Sequence, residues 1–87
     1  MSTHETVARF LATRFRSTLA GREPRPDEPL LSSGVVDSFG LLELIAFVED
    51  SFGVRIDPAR LGLERLDTVG RIVALVESLG GGGPAAP

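Results

Sequence analysis

A carboxylate followed directly by a hydroxyl, where a loop gives way to an amphipathic run, is the chemically most suggestive pairing in the chain. It is Asp37-Ser38, set in Gly34-Val35-Val36-Asp37-Ser38-Phe39-Gly40-Leu41-Leu42-Glu43-Leu44. A serine at such a junction is exposed and conformationally fixed, so a second protein can find it and modify it. The same pair has a plainer reading. Asp and Ser are favoured helix N-caps, because their side-chain oxygens accept hydrogen bonds from first-turn amides that otherwise lack partners. Taken alone the pair reads first as a cap. The two roles are compatible, with either Asp37 or Ser38 as the capping residue.

Catalysis by Ser38 lacks its supporting groups. A nucleophilic serine needs a base within hydrogen-bond reach and a group that orients that base. The single imidazole is His4, at the far end of the sequence, and Asp37 as an immediate neighbour does not make a triad. Cysteine is absent, which removes disulfides, thiolate metal sites and a Cys nucleophile. The glycines from Gly80 to Gly83 follow a helical pattern and read as a flexible end, not as a phosphate-binding loop. The chain is therefore expected not to be an enzyme.

The elements that position Ser38 are helical. Eighty-seven residues make one small domain, expected over residues 1–80, followed by a disordered Gly/Pro/Ala tail over 81–87. From Thr3 to Ala20, apolar residues at Val7, Phe10, Leu11, Phe15 and Leu19 keep the spacing of one helical face, and Gly21 stands where a left-handed C-terminal cap is wanted. Arg22 to Pro29 holds three prolines and reads as a long loop, with Leu30 and Leu31 pinning it to the core. A second helix is predicted from Ser38 to Phe52, stopped by Gly53. Val54-Arg55-Ile56 is too short for a strand without a partner and reads as a buried extended connector. Asp57-Pro58 starts a short third helix that Gly62 ends. Asp67-Thr68 opens the last helix, with Val69, Ile72, Val73, Val76 and Leu79 on its apolar face and Gly80 as its end. The expected fold is all-α: a small four-helix bundle of three main helices and one short one.

Advancing about 100° per residue from Ser38 divides the second helix into two apolar faces. Leu41, Leu44, Ile45, Val48 and Phe52 form a core stripe. Phe39, Leu42 and Ala46 form a second strip, fringed by Glu43 and Asp50 on one side and Glu49 on the other, while Phe47 and Gly40 fall between the two. A neighbouring helix or the long loop could cover this strip. Left open, it is a docking face with an apolar centre and carboxylates at its edge, suited to a groove lined with Arg or Lys.

Charge points the same way. The net charge of −3 argues against non-specific nucleic-acid binding. All nine basic residues are scattered arginines, and the stretch from Asp37 to Val54 contains none of them. A cationic partner would sense such a local anionic patch within about 10 Å at ordinary salt. No apolar run approaches the roughly 18 residues needed to cross a bilayer, and the N-terminus lacks a secretory pattern, so the expected location is cytoplasmic.

From Leu31 to Ile56 the chain resembles the prosthetic-group region of acyl and peptidyl carrier proteins, and the helix pattern matches that family over Val7 to Leu79. The resemblance implies the family's four-helix bundle, with 4′-phosphopantetheine borne on Ser38 and Asp37 helping to present it. It implies a phosphopantetheinyl transferase, using coenzyme A and Mg²⁺, as first partner, then a loading ligase for acyl or aminoacyl groups and downstream biosynthetic enzymes. It also implies that Phe39, Leu42, Glu43, Ala46, Glu49 and Asp50 meet those partners. Two positions depart from the usual pattern: Gly40 stands where fatty-acid-type carriers have an acid, and Ser33-Gly34-Val35-Val36 replaces the Gly-Gly lead-in of peptidyl carriers. Both look more like free-standing, monomeric carriers of specialised (secondary-metabolic) pathways, D-alanyl-carrier-like proteins included. The leading expectation is a discrete acyl carrier. An aminoacyl or D-alanyl carrier is the close rival, and an unmodified helical interaction module is the reading from another class.

Overall fold

A computed structural model describes residues 2–81. Its order is α1 (Thr3–Arg14), α2 (Arg16–Leu19), α3 (Ser38–Phe52), α4 (Pro58–Leu61), a 3-10 helix (Leu63–Leu66) and α5 (Val69–Ser78). The described residues contain no strand, as expected, and the three main helices enclose one apolar core. That core takes Val7 and Leu11 from α1, Leu44 and Val48 from α3, and Ile72 and Val76 from α5, all essentially inaccessible to solvent.

α1, α3, α4 and α5 each begin where a side chain satisfies a first-turn amide. At α1, the Glu5 N–H donates to Ser2 Oγ and the Ser2 N–H to Glu5 Oε1, both at 3.1 Å, a reciprocal capping box. Asp57 caps α4, with Pro58 in its first turn, and Thr68 caps α5 by accepting from the Arg71 N–H at 3.0 Å.

The expected first helix is interrupted at Phe15, whose backbone leaves the helical region at φ −112°, ψ 42°. Its carbonyl accepts the Thr18 N–H, the Thr18 hydroxyl and the Leu19 N–H, where a straight helix supplies one partner. Threonine back-bonding of this kind bends helices. The left-handed turn that closes α2 begins at Ala20, one residue ahead of the glycine that the sequence marks for it.

The long loop is pinned as its apolar residues suggest: Leu30 is fully buried and Leu31 half-buried. Val54 and Ile56 are buried on either side of exposed Arg55, so the connector is extended but unpaired. The 3-10 helix is not foreseen in the sequence. Its four residues are too few to display a period, yet they deliver Leu66 into the core at 0% exposure. In α5 the apolar face differs by two residues from the expected set. Leu75 is fully buried, whereas Leu79 is the C-cap, past the last helical turn, and lies exposed. Of the expected tail, Gly81 donates its N–H to the Val76 carbonyl at 2.9 Å, closing the end of α5; residues 82–87 lie outside the described residues.

Candidate functional site

Asp37 is the cap of α3. Its extended backbone (φ −91°, ψ −174°) aims Oδ1 at the Gly40 N–H, 2.7 Å away, and its carbonyl accepts the Leu41 N–H at 2.8 Å. With capping assigned to Asp37, Ser38 becomes the first residue of the helix. It is exposed, and its hydroxyl has no hydrogen-bond partner among the described residues. The amides of Ser38 and Phe39 take no part in the cap. They stand at the positive end of a 15-residue helix, where first-turn N–H groups favour a phosphate ester. An exposed hydroxyl beside such amides fits a phosphodiester-linked group.

Gly40 shows why the acid of fatty-acid-type carriers is missing here. It is buried, and a Cβ built on it would lie 2.6 Å from Phe15 Cζ and 3.2 Å from Asp37 Oδ1. The ring of Phe15 therefore occupies the space that any side chain at position 40 would need. Phe15 in turn meets Phe10 edge-on at 6.5 Å, and Phe10 stacks on Phe47 at 4.1 Å. This places Phe47, undecided between two faces in the sequence, in a half-buried aromatic contact with α1.

The loop leading to Ser38 is tied to the other end of the chain by Asp67. Its Oδ1 accepts the N–H groups of Leu30 (3.1 Å), Leu31 (2.6 Å) and Ser32 (3.1 Å), and Oδ2 accepts the Ser32 hydroxyl at 3.0 Å. Partial burial pushes the Asp67 carboxyl up, but the hydrogen bonds from Ser32, Leu31 and Leu30 outweigh it and hold the group below the usual carboxylate range. Nearer the site, the Val36 N–H donates to the Leu30 carbonyl at 3.0 Å, and Val36 is buried. The sequence treats Asp67 only as part of a helix start. Its signal was redundancy: in Asp67-Thr68 one residue suffices as cap, leaving the other free to cap a neighbouring loop.

An open groove of about 600 Å³ lies beside Ser38, with Leu31, Val36, Leu41 and Leu63 among its lining residues. Leu41, expected in the core stripe, is only half-buried because it faces this groove. The rest of the stripe, Leu44, Ile45, Val48 and Phe52, is buried as expected.

The second strip of α3 is uncovered. Phe39 is 79% exposed and Leu42 63%, and Ala46 is exposed beside them. Its carboxylate fringe is less available than the sequence suggests. Glu43 is gripped by Arg14 through two parallel hydrogen bonds, Nε to Oε2 at 2.7 Å and Nη2 to Oε1, and that carboxylate holds the Arg14 guanidinium above its ordinary range. Glu49 is half-buried and accepts the Ile56 N–H at 2.8 Å, so it anchors the connector after α3. Among the described residues Asp50 alone of the three fringe acids has no such partner.

No three His, Asp or Glu side chains among the described residues cluster as a metal site, and no helix there is long and apolar enough to cross a membrane. The arrangement is that of a small helical bundle with an exposed, unpartnered serine at the start of α3 and an open apolar face beside it. The family model described as a phosphopantetheine attachment site matches residues 5–76. The D-alanyl carrier protein of Streptococcus equi subsp. zooepidemicus (strain MGCS10565) is 33% identical over 79 residues, covering 91% of this chain and 96% of the relative. The protein of the same name from Streptococcus pyogenes serotype M1 is 34% identical over the same length and coverage. The chain belongs to the phosphopantetheine-attachment family of carrier proteins. Its cofactor is covalently bound 4′-phosphopantetheine.

Proposed function

We propose that Ser38 bears the phosphopantetheine arm, and that the chain, with residues 1–80 as the carrier domain, is a discrete, monomeric cytoplasmic carrier without catalytic activity of its own. The observation that carries this reading is the exposed, unpartnered Ser38 hydroxyl at the first turn of α3, with Asp37 already occupied as the cap. The Ser38 oxygen attacks the pantetheine-bearing phosphorus of coenzyme A, forming the phosphodiester as the pyrophosphate bond breaks and adenosine 3′,5′-bisphosphate leaves. The neighbouring Asp37 is engaged as the helix cap, and the hydroxyl proton passes to a base on the transferase. When attached, the arm supplies the thioester-forming sulfur that this cysteine-free chain lacks.

The relatives named as D-alanyl carriers favour an aminoacyl cargo over the fatty acyl cargo that led the sequence-based expectation. The apolar groove beside Ser38 is the observation that favours the acyl reading. A loading ligase and downstream acyl-consuming enzymes complete the partner set.

Co-expression with a broad-specificity phosphopantetheinyl transferase, followed by intact mass measurement, tests the attachment. One phosphopantetheine adduct is expected on the parent and none on Ser38→Ala; an adduct that persists on the variant overturns the assignment. Incubating the modified protein with ligases that activate D-alanine or fatty acids then separates the two cargoes by mass.

A further inference from the structure

We propose that Arg14 determines the chemistry of the docking face: by neutralising Glu43 it makes the surface beside Ser38 one for an apolar pocket on the partner enzyme, not for a basic groove. This deepens the carrier reading and rests on it. Three observations converge. Arg14 holds both carboxylate oxygens of Glu43 at once, the bidentate geometry that fixes a guanidinium most firmly. Its position is further set by the Phe15 ring, whose centroid lies 5.5 Å from the guanidinium carbon, and Phe15 is itself immobilised against Gly40. With Glu49 accepting the Ile56 amide and Asp37 accepting the Gly40 amide, the side chains that the second strip leaves open near Ser38 are the apolar pair Phe39 and Leu42, more than half exposed, with Asp50 further along the helix.

The sequence suggested an apolar strip edged by acids, to be met by Arg or Lys. Folding brings a cation from α1 onto Glu43, the fringe acid nearest Ser38, a pairing between residues 29 positions apart that no local spacing displays. A partner pocket complementary to Phe39 and Leu42 then needs no counter-charge for Glu43. Releasing Glu43 from Arg14 would instead set an uncompensated carboxylate against that apolar pocket.

The test uses a broad-specificity phosphopantetheinyl transferase with coenzyme A, and reads the KM for the unmodified carrier at about 0.05 M and about 0.5 M NaCl, salt that shortens the Debye length severalfold. The parent KM is expected to change less than about twofold across that range. Arg14→Gln is expected to raise KM about fivefold, the scale of one surface ion pair, and Arg14→Gln/Glu43→Gln to return it to the parental value. Phe39→Ala is expected to raise KM about thirtyfold at both salt concentrations, the scale of a hot-spot side chain. An Arg14→Gln variant with a lower KM overturns the proposal, because it would mean that the partner reads Glu43 with a cation. A double variant no better than the single overturns it too, since Arg14 would then act through the fold. Thermal unfolding of each variant shows whether the bundle is intact. Absence of any Ser38 adduct on the parent would sink the carrier reading itself, a result distinct from any of these KM outcomes.

Discussion

Gly40 and Phe15 occupy one space: the Phe15 ring lies where a side chain at position 40 would go, so the start of α3 rests directly on the break between α1 and α2. A helix interior ordinarily gains up to about 1 kcal/mol when glycine becomes alanine. Here the added methyl must displace an aromatic ring that is packed against Phe10 and covered by Arg14. Gly40→Ala is expected to lower stability by about 1–3 kcal/mol, the usual cost of overpacking, measured by urea unfolding. A gain in stability would show that the ring yields freely.

Asp37 and Ser38, adjacent in sequence, separate cleanly in effect. Asp37→Ala removes the cap on the Gly40 amide and is expected to cost about 1 kcal/mol of stability. Ser38→Ala removes an exposed hydroxyl without a partner and is expected to change the urea midpoint negligibly. Equal destabilisation by the two would mean that Ser38 shares the capping role.

Two neighbouring acids on α3 should answer differently to the same substitution. Glu49→Lys leaves the buried side of the Ile56 amide without its acceptor, and is expected to destabilise the bundle by about 1–3 kcal/mol. Asp50→Lys, at an exposed residue, should fall within about 0.5 kcal/mol of the parent. Circular dichroism during thermal unfolding distinguishes them. Similar melting curves would remove Glu49 from its structural role.

Stability should fall in acid through two named carboxylates. Arg22 bonds Glu28 through both carboxylate oxygens, and these bonds, with that from the Arg25 N–H, lower its pKa from 4.5 to about 2. Asp67 is also held below its ordinary 3.8. A depressed folded-state pKa means that the unfolded chain takes up protons first as pH falls. Each contribution is therefore fully present above the unfolded value and is lost on descending through the folded one. The expected window for Glu28 runs from about pH 4.5 to about pH 2. Asp67→Asn and Glu28→Gln should each flatten the dependence of the melting temperature on pH below 4.5, and an unchanged slope would remove the residue concerned from acid sensitivity.

What the sequence made legible was local. The bounds of α3 from Ser38 to Phe52, the Gly53 stop and the short helix after Asp57-Pro58 all follow from caps, glycines and a single helical period. What it hid was contact across the chain. The break at Phe15 depends on where its ring lands, and the Arg14–Glu43 and Asp67–loop pairings join residues far apart in sequence, which period and propensity do not encode. For this reason Glu43 and Glu49, read as open acids, turned out to be engaged within the molecule, while Phe39 and Leu42, which needed only the helical period, lay exposed on the face assigned to them.

The Asp67 clamp also orders events in time. The amides it gathers lie 35 to 37 residues earlier in the chain, so these bonds to the turn that leads into Ser38 cannot form until the start of α5 has been made and has docked. During synthesis the serine would leave the ribosome well before its final geometry exists.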